Sequence, residues 1–221
     1  MRKKAPVIGV VYQMSTHRIL LHRWLEDGGM NAFKDVEIVV VPPAQVHEHL
    51  KAGYIDGFCA GEPWNSAAVV AGTGWIAATS DTLAPRHLEK VVIARSEALE
   101  RDSERHAKVQ QALLRACQWC AAPDYENALS ALLRPEFDPS VAGALRESLS
   151  ARARLANRRF SQGKLAPNFA SACEPKPTLE EAQWLTQNLE LALRRPVFSA
   201  LSPEQLKRSF TSSIANIPSP V

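Results

Sequence analysis

Asp56-Gly57-Phe58-Cys59-Ala60-Gly61-Glu62-Pro63-Trp64-Asn65 is the stretch on which the fold turns. It starts inside a short apolar strand, residues 55–59, and runs into a small-residue helix, 65–71, that Gly72 ends. Ala60 keeps the turn between them small, and Gly61 removes the side chain where backbone must approach a ligand. Pro63 suits the first helical position, and Trp64 can wall a small pocket. In open α/β sheets, ligands bind beyond the carboxyl ends of strands, against the starts of the following helices. There the unpaired N–H groups and the helix dipole accept anions.

Working outward, the same alternation repeats. Residues 7–11 are a short apolar run. Ser15-Thr16 then stand as cap residues before an amphipathic helix, 18–25, that stops at Gly28-Gly29. Residues 36–41 form a β-branched strand stopped by Pro42-Pro43, with Pro43 in the first turn of a helix over 44–52 that Gly53 closes. Residues 75–79 and 90–94 read as further strands. The βαβαβαβ order predicts a mainly parallel sheet covered on both faces. After Ser96 the pattern is helical: about 97–121, then 125–133, 141–149, 179–193 and a shorter helix over 203–210. The expected organisation is an α/β anion-binding lobe over 1–96, a helical segment over 97–215 and a disordered tail over 216–221.

Composition narrows the function. The 221 residues are 46% hydrophobic and 22% charged, which excludes collagen-like, fibrous and disordered chains. The net charge of +3 is too small to argue for direct nucleic-acid binding. Residues 1–100 carry 10 Lys/Arg against 11 Asp/Glu, and 101–221 carry 16 against 12. Arg152, Arg154, Arg158, Arg159 and Lys164 concentrate this excess, with only Phe160 as an interleaved aromatic. A solvated face is the simpler reading than an RNA or acidic-partner contact. No apolar run is long enough for a membrane span. Met1-Arg2-Lys3-Lys4 has the basic character of a signal-peptide start, but the apolar run behind it is too short and no cleavage site follows. The expectation is a cytoplasmic chain as given, or a periplasmic or membrane-associated one if the N-terminus is truncated.

Enzymatic machinery is not evident. His22, His47, His49, His87 and His106 have no ligand-set spacing, and His47-Glu48-His49 places its two imidazoles on different helix faces. Neither a Gly-rich phosphate loop nor a Gly-x-Ser-x-Gly elbow occurs. Cys117-Gln-Trp-Cys120 reads as two thiols on a buried helix face rather than a redox or zinc pair. No cofactor or metal is expected. Besides the turn at Gly61, two places suit an anion: the strand-to-helix junction 12–17, where hydroxyls, helix N–H groups and His17 converge, and Lys90, a point charge within reach of a shared crevice.

Thr16-His17-x3-Leu21-x2-Trp24-Leu25, the stretch ending Val41-Pro42-Pro43, the Asp56–Asn65 string and Glu89-Lys90-Val91 together resemble one family. It is that of the nitrate- and bicarbonate-binding proteins of ABC transporters, including a soluble cytoplasmic nitrate/nitrite sensor that holds an RNA-binding antiterminator. The resemblance is close over residues 7–96 and weaker onward to Ala182-Gln183-Trp184-Leu185. It implies a type II periplasmic-binding-protein clamshell, here mainly the second lobe plus a helical C-terminal return segment, with the first lobe missing. It implies a non-enzymatic solute-binding protein for nitrate, nitrite or bicarbonate, working with an ABC permease or in nitrate sensing. His17, Gly61 and Lys90 are the implied anion contacts, supported by Thr16, Glu62, Pro63 and Trp64. An alternative is a regulatory module that has lost ligand binding and docks a partner such as an antiterminator. A thiamine-precursor enzyme of the same fold is disfavoured, because Cys59 lies within a strand. Half a clamshell also predicts an exposed apolar face and self-association.

Overall fold

Val7–Val10 (β1) lies at the centre of a parallel sheet in the order β2-β1-β3, with β2 at Glu37–Val40 and β3 at Gly57–Cys59. The structure, a computed structural model, describes residues 4–85, 87–88, 90–122, 125–149 and 178–196, with 202, 204 and 205. β1 pairs in register with β2 from Val7↔Glu37 to Val10↔Val40, and with β3 from Ile8↔Gly57 to Val10↔Cys59. Parallel pairing requires a crossover at each step, and the helices α1 (Thr16–Asp27) and α2 (Pro43–Lys51) supply them. The period-2 pattern sorts the side chains. Ile8, Val10 and Ile38 face a core with Leu21, Leu25 and Val36. Val7, Val39, Val41 and Phe58 face a second core with Val46 and Ile55. Both faces of the sheet are therefore covered, as expected.

The helix ends follow from local chemistry. Ser15 caps α1, its hydroxyl accepting the Arg18 N–H at 3.3 Å. At the other end Gly29 takes φ +77°, a left-handed conformation that costs glycine little. Gly29 N–H then donates to the Glu26 carbonyl and Met30 N–H to the Leu25 carbonyl, both at 2.9 Å, which satisfies the last turn. Gly53 and Gly72 end α2 and α3 (Trp64–Val70) in the same way.

Two expected strands are absent. Residues 75–79 and 90–94 take no regular structure and pair with no strand among the described residues, so the described sheet has three strands. Their β-branched and aromatic residues fit a pleated surface, but a strand also needs a ladder partner. Val92 and Ile93 are instead 76% and 87% exposed. Residues 80–83 form a short helix, α4 (Ser80–Leu83), with Thr79 and Thr82 bonded to each other's backbone at its start.

The expected helix over 97–121 is two helices, α5 (Ser96–Arg101) and α6 (Ser103–Ala121). Asp102 leaves the helical conformation and accepts the Arg105 N–H at 3.1 Å, acting as an N-cap. None of the residues of α6 is buried, so Cys117 and Cys120 are half-buried, unbridged thiols rather than core side chains. α7 (Tyr125–Leu133) follows. Residues 139–149 likewise divide into α8 (Pro139–Ala142) and α9 (Leu145–Leu149). Val141 and Ala144 pack on Ala67 of α3, with Trp64 and Phe137 beside them. α10 (Leu179–Leu193) packs back on the α/β lobe itself, burying Leu189 and Ala192 against Ile19 of α1. The Arg152–Lys164 cluster, the tail 216–221 and most of the helix expected at 203–210 lie outside the described residues.

Candidate functional site

The turn from β1 to α1 builds the floor of the site. The Ser15 hydroxyl donates to the Tyr12 carbonyl at 2.7 Å while accepting from Arg18 N–H. These bonds close residues 12–15 into a turn and place Thr16 and His17 in the first turn of α1. The first N–H groups of a helix have no partner within it and carry the positive end of the dipole. A cleft of about 410 Å³ opens at this point, with Ser15, Thr16, His17 and Lys90 as its polar side chains.

Gly61 adjoins the same place from β3. A β-carbon added there would stand 3.7 Å from His17 Nε2, so the glycine backbone faces the imidazole across the room of one methyl group. The structure thus brings His17, Thr16, Gly61 and Lys90 to one locality from three separate segments.

Glu62, Pro63 and Trp64 stand behind the turn rather than in this cleft. Glu62 and Pro63 line a second groove of about 290 Å³, beside Cys120, Leu129, Leu133 and Phe137. Trp64 is packed between cores, its ring edge-on to Phe137 at 5.7 Å. Pro63 precedes the first helical residue of α3, occupying the cap position after a cis peptide bond. The Glu62 carboxylate accepts the Ser66 N–H at 3.2 Å, and the Asn65 amide donates to the Ala60 carbonyl at 2.8 Å. Burial pushes the Glu62 carboxyl above its usual range, while hydrogen bonds from Ser66 and Asn65 pull it back. These groups hold the shape of the Gly61 turn.

The apolar side of the cleft has no local mark in the sequence. Met14, Ile19, Leu185 and Leu189 form it, the last two from α10. Their i,i+4 spacing was visible in the sequence as one helix face, but nothing local shows that this face lies across α1. Three of the histidines are dispersed against aromatic rings: His22 on Phe33, His49 on Tyr54 and His87 near Trp184. Among the described residues, no group of three or more His, Cys, Asp or Glu is placed to hold a metal ion. No described helix is long and apolar enough to cross a membrane.

Comparison with known proteins assigns the chain a family. Bicarbonate transport ATP-binding protein CmpC of Synechocystis sp. (strain PCC 6803) is 38% identical over 126 residues, 57% of this chain and 19% of that protein. Nitrate/nitrite binding protein NrtA of Nostoc sp. (strain PCC 7120) is 31% identical over 170 residues, 76% of this chain and 37% of that protein. The chain therefore spans well under half the length of these curated relatives. The crystal structure of the periplasmic nitrate-binding protein NrtA from Synechocystis PCC 6803 superimposes with a TM-score of 0.70 at 21% identity. That match covers 94% of this chain and 57% of the other, and it shows the type II periplasmic-binding-protein fold. Residues 1–134 match the model of the NMT1-like family, and the chain belongs to that family.

Proposed function

We propose that the chain is a non-enzymatic solute-binding module for a small planar oxyanion (nitrate, nitrite or bicarbonate), serving ABC transport or nitrate sensing. The observation that carries this reading is the convergence of His17, Gly61 and Lys90 at the N-terminus of α1. Each supplies a different element of anion recognition. Lys90 provides countercharge, the imidazole of His17 a directional donor, and Gly61 a backbone the anion can approach without a side chain in the way. The first turn of α1, at the positive end of the helix dipole, lies beside them. Thr16 supports them from within the cleft, and Glu62, Pro63 and Trp64 support the Gly61 turn from behind. The relatives' names, nitrate/nitrite binding and bicarbonate transport, point to the same class of ligand.

Titration calorimetry with nitrate, nitrite and bicarbonate tests the reading. A charge-assisted hydrogen bond contributes about 1.5–3 kcal/mol, so Lys90→Ala is expected to weaken binding about tenfold or more. Lys90 is exposed, so added salt is expected to weaken the wild type as well. Binding by neither protein, or equal binding by both, overturns the assignment.

A further inference from the structure

We infer that the cleft at the start of α1 takes an oxyanion carrying a short aliphatic body, that is, a small aliphatic monocarboxylate, and not only an inorganic anion. The inference rests on the anion-site reading above and adds the ligand's second half. Nitrate has four heavy atoms and displaces roughly two waters, on the order of 60 Å³ at about 30 Å³ each. The cleft is about 410 Å³, within the range of about 300–1,000 Å³ typical of sites for organic ligands.

The distribution of its side chains is one-sided. Ser15, Thr16, His17 and Lys90 supply the polar groups, and Val11, Met14 and Leu185, with the largely buried Ile19 and Leu189, supply an apolar wall. An inorganic anion gains nothing from such a wall, whereas an aliphatic chain gains for each methylene withdrawn from water. Leu185 and Leu189 are one helical turn apart, about 6 Å along α10, so the wall has length as well as area. A carboxylate matches the planar head that nitrate and bicarbonate share, and its carbon chain can lie along the wall.

The test is calorimetric titration of the full chain with nitrate, formate, butanoate and hexanoate. At about 0.8 kcal/mol per buried methylene, affinity is expected to rise by up to about fourfold per methylene from formate to hexanoate. Lys90→Ala is expected to weaken the whole series. Met14→Ser and Leu185→Ala are expected to flatten the dependence on chain length, read as a smaller ratio of hexanoate to formate affinity than in the wild type. Met14 is exposed, so its variant keeps the test valid if Leu185→Ala folds poorly. If nitrate or formate binds but hexanoate binds no tighter than formate, this inference fails and the oxyanion reading stands. If none of the four anions binds, this inference fails, and the titrations with nitrite and bicarbonate decide the oxyanion reading.

Discussion

Gly61 is not needed for its backbone conformation, since its φ lies outside the left-handed region. Its value is space beside His17. Gly61→Ala places a methyl group at an ordinary contact distance from His17 Nε2, so the fold should change in stability by no more than about 1 kcal/mol. Oxyanion affinity should nonetheless fall, because the methyl occupies the room beside the imidazole. A thermal melt paired with calorimetry separates the two effects, and unchanged affinity would remove Gly61 from the site. His22 gives a pH dependence. Burial, with smaller contributions from Arg18 and Arg194, lowers its pKa, and Glu26 opposes the shift. The unfolded imidazole protonates near 6.5 and the folded one at lower pH, so between those values the unfolded state binds more protons. Stability present above pH 6.5 is thus lost as pH falls through that window. The melting temperature should be lower at pH 5.5 than at 7.5, and His22→Gln should reduce the difference.

α10 shows how much of an element is local and how much is not. Its start was readable, since Glu180-Glu181 suit a helix N-terminus. Thr178 and Glu181 form a capping box, the Thr178 hydroxyl accepting Glu181 N–H at 3.1 Å and the carboxylate accepting Thr178 N–H at 2.7 Å. Thr178→Ala should cost about 1 kcal/mol, measured by urea denaturation. Its docking on α1 is non-local: Leu189 and Ala192 bury against Ile19, and the Arg18 guanidinium donates to the Ala192 carbonyl at 3.4 Å. Ala192→Leu should overpack this contact by about 1–3 kcal/mol, read by the same urea denaturation. The absent strands at 75–79 and 90–94 make the same point. Their β-branched and aromatic content was legible, but pairing depends on a neighbour elsewhere in the chain.

At the scale of the molecule, several large apolar side chains are exposed, among them those of the segment after Lys90 and of α6. Val92 and Ile93 are almost fully exposed, and Val109, Leu113 and Trp119 of α6 are exposed as well. Exposed apolar surface of this kind favours association. Light scattering over a concentration series should show self-association, and Val92→Lys with Ile93→Lys should shift the protein toward monomer. A wild-type chain that stays monomeric throughout the series would overturn that expectation.

The amino-acid sequence alone determined the βαβαβ order, the glycines that end three helices and the serine cap of α1. Each depends on contiguous residues, through hydrogen bonds within one turn, the period of apolar positions, or a motif. Tertiary structure alone decided that α10 walls the cleft at the start of α1, that Glu62 and Pro63 face the groove behind it, and that residues 90–94 join no strand among the described residues. These depend on which surfaces meet. Arg18 and Ala192, 174 residues apart, carry no local mark of their contact.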